Sequence, residues 1–99
     1  MIHDLPVTAG QAGVALSLTY NGFPRIVEVH AVGVSSAGNR LMRVWQVSGG
    51  SKSGKFTGWK LMTVSDASNL ALTEQVSEAP REGYRRGDRA MVRRIDWQI

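Results

Sequence analysis

The chain contains no cysteine, which excludes a disulfide framework and a thiolate metal site. Long apolar runs are missing as well, and no segment has the roughly 20 apolar residues that a membrane-spanning helix needs. Acidic residues are few. Four aspartates and four glutamates are spread so widely that no carboxylate pair stands out for acid–base chemistry. His3 and His30 are the only histidines. Glu28 stands two residues before His30 and shares its strand face by alternation, but a metal would require at least one further ligand. No nucleophile elbow or oxyanion motif supports Ser-His-Asp chemistry. Residues 1–6 lack the basic residues and apolar core of a signal peptide. The expectation is a cytoplasmic, non-enzymatic protein with no cofactor, no metal and no membrane contact.

Ninety-nine residues with 42% hydrophobic and 20% charged composition make one globular domain. The net charge is +4, from 12 basic and 8 acidic residues, and nine of the twelve are arginine. Arginine favours planar, bidentate recognition of carboxylate or phosphate over diffuse solubilising charge. From Pro80 onward there are six arginines against three acids, and Lys52, Lys55 and Lys60 form a second basic cluster with no acid between them.

Period-two alternation dominates the pattern. Val14, Leu16, Leu18 and Tyr20 fall on one strand face, and Asn21-Gly22 follows at once. Asn-Gly between alternating runs predicts a two-residue hairpin turn with positive φ at both positions. The return strand is expected over 25–34, with Pro24 at its start, where no ladder N–H is required. Ser35 to Asn39 reads as a turn, 40–47 as a third strand, 58–64 as a fourth and 69–75 as a short fifth, with 65–68 a tight turn. Residues 80–88 are turn-rich, and 90–99 favours a strand or extended tail over two helical turns. These elements predict an all-β domain, a small SH3-like or Sm-like partly open barrel of about five strands with its core at 14–75 and a basic C-terminal extension at 80–99. A five-stranded oligonucleotide-binding barrel is the rival.

The loop 48–57 is built from Gly, Ser and Lys between two strands that each carry a tryptophan, Trp45 and Trp59. Glycines let a backbone approach an anion closely, and Lys52 and Lys55 supply charge. The run from Gly49 to Lys55 follows most of the phosphate-loop pattern but fails at Phe56, where the magnesium-binding hydroxyl should stand, and a strand rather than a helix follows. Nucleotide hydrolysis is therefore not expected. Trp45 reads as core, whereas Trp59, at the base of the loop, suits either packing or stacking on a ligand ring.

The order Tyr20-Asn-Gly-Phe-Pro-Arg25-Ile-Val-Glu28-Val-His30, Leu41-Met-Arg-Val-Trp45-Gln46-Val and Gly58-Trp59-Lys-Leu-Met62-Thr-Val resembles the WYL domain family over roughly residues 14 to 75. Gln46-Val-Ser-Gly-Gly50 and Gly83-Tyr84-Arg85-Arg86-Gly87-Asp88 resemble stretches of compact members. The name-giving tripeptide is Val44-Trp45-Gln46 here, and Val29 stands where proline is usual. The resemblance implies a ligand-sensing module of bacteria or their phages that binds nucleic acid or nucleotide-like ligands, and it makes Arg25, His30, Arg43 and Gln46 pocket candidates. The residue-level argument adds Lys52, Lys55 and Trp59. The expected partner is a nucleotide or single-stranded nucleic acid, and the expected assembly a homodimer or higher homo-oligomer. A protein-interaction module, such as a phage protein that blocks a host factor, is the alternative.

Overall fold

The computed structural model describes residues 4–52, 54 and 56–99. It is all-β apart from one short helix and one 3₁₀ turn. The order is α1 (Leu5–Ala12), β1 (Val14–Tyr20), β2 (Phe23–Val34), β3 (Arg40–Gly49), β4 (Gly58–Thr63), a 3₁₀ turn (Val64–Asp66), β5 (Ala67–Val76) and β6 (Arg94–Gln98). The antiparallel strands run β4-β3-β2-β1-β5, with β6 also paired to β2.

The predicted hairpin is present: Tyr20 pairs with Phe23, and Asn21 and Gly22 have φ of 52° and 78°. Two positive φ values are what a type I′ turn demands, and that turn matches the twist of the flanking strands. At twelve residues β2 is long enough to serve two partners along one edge. Its first half pairs with β1 and its second half with β6, while β3 runs along the other edge.

The sheet curls into a barrel-like form. In a flat sheet β1 and β4, three strands apart, would be separated by about 14 Å. Instead the Tyr20 hydroxyl accepts the Thr63 N–H at 3.1 Å. Inside the curl Leu16, Leu18, Val27, Val29, Met42, Val44 and Met62 form the core, with Ala9 of α1 against it.

Helix α1 is absent from the sequence reading. Pro6 fits its first turn, and Gly13 ends it at φ 70° with its N–H turned back to the carbonyls of Ala9 and Gly10. Its residues are small and only mildly amphipathic, so no helical stripe marks it. A second apolar cluster, Ala31, Leu41 and Met91 with Ala90 and Ile95, lies on the outer face of the sheet. There residues 77–93 cross back over β2 and β3 as an irregular strap before β6 begins. No helix among the described residues is long and apolar enough to cross a membrane.

Candidate functional site

Strand alternation separates the sequence candidates into two groups. Gln46 lies opposite the Gly58 position and, with Arg25, belongs to the inner face that holds Val27 and Val44. Arg43 and Trp59 belong to the outer face. His30 joins them by alternation from Glu28, and a β-bulge lies there: Val29 pairs with Val44 and Ala31 with Arg43, so one extra residue is inserted and Ala31 turns outward as well.

At the inner end Arg25 is 4% exposed, and it donates to the Gln46 side-chain oxygen at 3.2 Å and to the Tyr20 carbonyl at 2.9 Å. The rings of Tyr20 and Phe23 cover its guanidinium. Burial lowers its pKa from the usual arginine value. Gln46, fully buried, donates in turn to the carbonyls of Gly50 and Phe56 and so ties down both ends of the glycine-rich loop. These two side chains brace the barrel end and the loop. The chain engages both polar atoms of Gln46 and two of the three Arg25 guanidinium nitrogens, while the buried Arg25 Nε has no hydrogen-bond partner among the described residues. Lys52 is exposed on the loop. Lys55 and His3 lie outside the described residues. The loop joins β3 to β4 with no helix among its described residues, in keeping with the failed phosphate-loop pattern.

On the outer face His30 is completely buried. Its Nε2 accepts the Arg81 backbone N–H at 2.9 Å, so that nitrogen is unprotonated and Nδ1 donates to the Glu28 carbonyl at 3.0 Å. Desolvation lowers the His30 pKa, opposed by its bond to Glu28 and the Glu28 charge. Glu28, also fully buried, accepts Arg81 Nε at 2.7 Å and the Glu78 N–H at 2.7 Å. The Glu28-x-His30 pair thus fastens the strap. Among the described residues no three His, Asp or Glu side chains gather as a metal site would require.

Beyond this fastening an open cleft of about 570 Å³ is walled by Arg43, Trp59, Tyr84, Asp88 and the strap arginines Arg85, Arg86 and Arg89. Trp59 meets His30 edge-on at 4.6 Å and Trp45 edge-on at 5.4 Å, and lies 28° from the plane of Tyr84 at 6.4 Å. Its indole N–H donates to the Glu82 carbonyl, and the Tyr84 hydroxyl donates to the Ile99 carbonyl. Both aromatic side chains therefore have their polar tips held by the chain, and their rings form the cleft wall. Gly83 permits the close approach of strap to indole: at its φ of 90° a Cβ would stand 3.2 Å from Trp59 Nε1.

Arg43 engages Asp88 through two bonds, at 2.7 and 3.2 Å. The Arg43 hydrogen bond holds the Asp88 carboxyl below its usual range. The positive charge left in the cleft comes from Arg85, Arg86 and Arg89, all exposed, and none of them makes an ion pair among the described residues. Sequence reasoning placed Trp59 and Arg43 here but missed these three. The usable signal was the Gly-Tyr-Arg-Arg-Gly-Asp stretch within the arginine-rich end. A second hollow of about 250 Å³ lies over the β1–β2 end, bounded by Ser17, Thr19, Pro24, Ser48 and the sequence candidate Arg25.

Compared with known protein families, with curated proteins and with solved structures, the chain matches none of them.

Proposed function

We propose that the protein is a non-enzymatic binding module whose strap cleft takes a phosphate-bearing ligand, a nucleotide or a short single-stranded nucleic acid. One observation carries this reading: three exposed arginines with no carboxylate partner among the described residues surround a cleft whose wall is Trp59 and Tyr84. Guanidinium groups bind phosphate oxygens in pairs, and aromatic faces stack on bases without demanding a sequence. In this arrangement Arg85, Arg86 and Arg89 grip phosphate, Trp59 and Tyr84 receive a ring, and Arg43 positions the strap through Asp88. Arg25, His30 and Gln46 support the scaffold.

The resemblance to the WYL family favours the same ligand class, and with it a regulatory or defence role in the cytoplasm of a bacterium or a phage-infected cell. A thermal-shift screen against mono-, di- and cyclic nucleotides and short oligonucleotides tests the reading, because a ligand of the native state raises Tm by mass action. The shift should appear with the parent and vanish with an Arg85/Arg86/Arg89 triple alanine variant. A shift that survives in that variant would move the site elsewhere.

A further inference from the structure

The second hollow, at the β1–β2 end of the barrel, shares no residue with the strap cleft and borders a cation that has no counter-charge. Arg25 stands in its wall, almost fully buried, and makes no ion pair among the described residues. A guanidinium carries five N–H donors and keeps its proton inside proteins. Two of the donors are engaged, by the neutral oxygens of Gln46 and Tyr20, and the buried Nε–H has no partner among the described residues. A buried charge is costly until an anion or a full set of acceptors meets it.

The other polar groups around the hollow are of the complementary kind. Thr19 of β1, Ser48 of β3 and Asn69 of β5 line it, and none of these three side chains has a hydrogen-bond partner among the described residues. No carboxylate lines it. Asn69 stands in a bulge: Ser17 pairs with Ala71 and Thr19 with Ser68, so two residues of β5 face one of β1, and Asn69 takes a φ of 54°. Bulges re-aim side chains, and a left-handed conformation is uncommon away from glycine.

We propose that this hollow binds a phosphate group, with Arg25 supplying the charge and Thr19, Ser48 and Asn69 the surrounding donors. Four strands each bring one polar side chain, which suits a tetrahedral anion with three strong acceptor oxygens better than a planar carboxylate with two. At about 250 Å³ the hollow is smaller than the roughly 300–1,000 Å³ of pockets for drug-sized ligands, so it takes one such group and not a whole nucleotide. The inference does not rest on the reading of the strap cleft.

Heteronuclear NMR of the isotope-labelled chain reads the site directly. Inorganic phosphate, titrated at fixed ionic strength, should shift the Arg25 Nε–H signal saturably, in the parent and equally in the Arg85/Arg86/Arg89 triple alanine variant. Ser48→Ala/Asn69→Gly changes two exposed positions, the second to a residue that adopts positive φ freely. It removes two donors to a charged group and should raise the Kd at least about tenfold. Arg25→Gln, followed at the Gly49 backbone N–H, should abolish the response; should it fail to fold, the double variant decides. Glycerol phosphate in a parallel titration distinguishes a free ion from the phosphate of a larger molecule by which of the two saturates at lower concentration. A signal that phosphate leaves unmoved, an equal response to acetate, parent-like affinity in the double variant, or a shift lost in the strap variant would overturn the proposal.

Discussion

Glu28 and Arg81, one on the central strand and the other on the strap, meet through a 2.7 Å bond between the Arg81 Nε–H and a carboxylate with no solvent exposure. The same arginine lies over the Trp45 ring at 5.4 Å and gives its backbone N–H to His30. Three outward side chains of β2 and β3 thus converge on one strap residue. That junction sets where the strap runs, and so where its arginines stand relative to Trp59.

Glu28→Gln retains the shape of this junction but removes the charge from its bonds. Hydrogen bonds to charged groups contribute about 1.5–3 kcal/mol, and a loss of that order is expected in urea unfolding. Arg81→Met should lose more, because it strands the buried carboxylate without its partner. Tryptophan fluorescence should change in Arg81→Met, since the guanidinium leaves the face of Trp45. Parent-like stability in both variants would contradict the fastening role.

The burial of His30 makes stability pH-dependent in a definite direction. Its pKa is lowered in the folded state, so below the unfolded value of about 6.5 the unfolded chain takes up a proton that the native chain resists. Stability is therefore complete above that pH and falls as pH drops from it toward the lower folded value, with a slope of at most about 1.4 kcal/mol per pH unit. His30→Gln places an oxygen where Nε2 accepts and should abolish this slope just below about pH 6.5. The lowered Asp88 and Asp96 carboxyls act in the same direction but in the more acidic carboxylate range. An unchanged slope in His30→Gln would show that His30 is not the titrating group.

Gly22→Val should destabilise the domain by about 1–2 kcal/mol or more, because a β-branched residue is forced to the φ of 78° that the hairpin uses. Urea denaturation checks this. A variant as stable as the parent would mean that the turn tolerates another conformation.

The hairpin was legible in the sequence because its chemistry is local: Asn-Gly between alternating runs specifies both turn and register. The strands β3 to β5 were legible for a similar reason, each carrying its own alternation between turn residues. The bulge at His30, the course of the strap and the inward aim of Arg25 were not, since they depend on partners 21 to 53 residues away in sequence. The sequence grouped Arg25, His30, Arg43 and Gln46 as candidates for one pocket, and only the register between strands separates Arg25 and Gln46 on the inner face from His30 and Arg43 on the outer. Arg85, Arg86 and Arg89 sit in turns without periodicity, so only the fold brings them beside Trp59. Helix α1 is held by contacts such as Gly10 against the Trp97 ring, where a Cβ would overlap the indole.

The most direct test of the phosphate-binding cleft is the salt dependence of binding to a fluorescently labelled thymidine oligonucleotide, measured by anisotropy for the parent and the Arg85/Arg86/Arg89 triple alanine variant. For single strands log K falls with log salt by roughly 0.7 per phosphate neutralised, so three arginines predict a slope of about 2 in magnitude. The variant should bind at least about tenfold more weakly and with a shallower slope. Binding that ignores salt, or that the triple variant retains in full, would contradict the account and leave these arginines as a solvated surface.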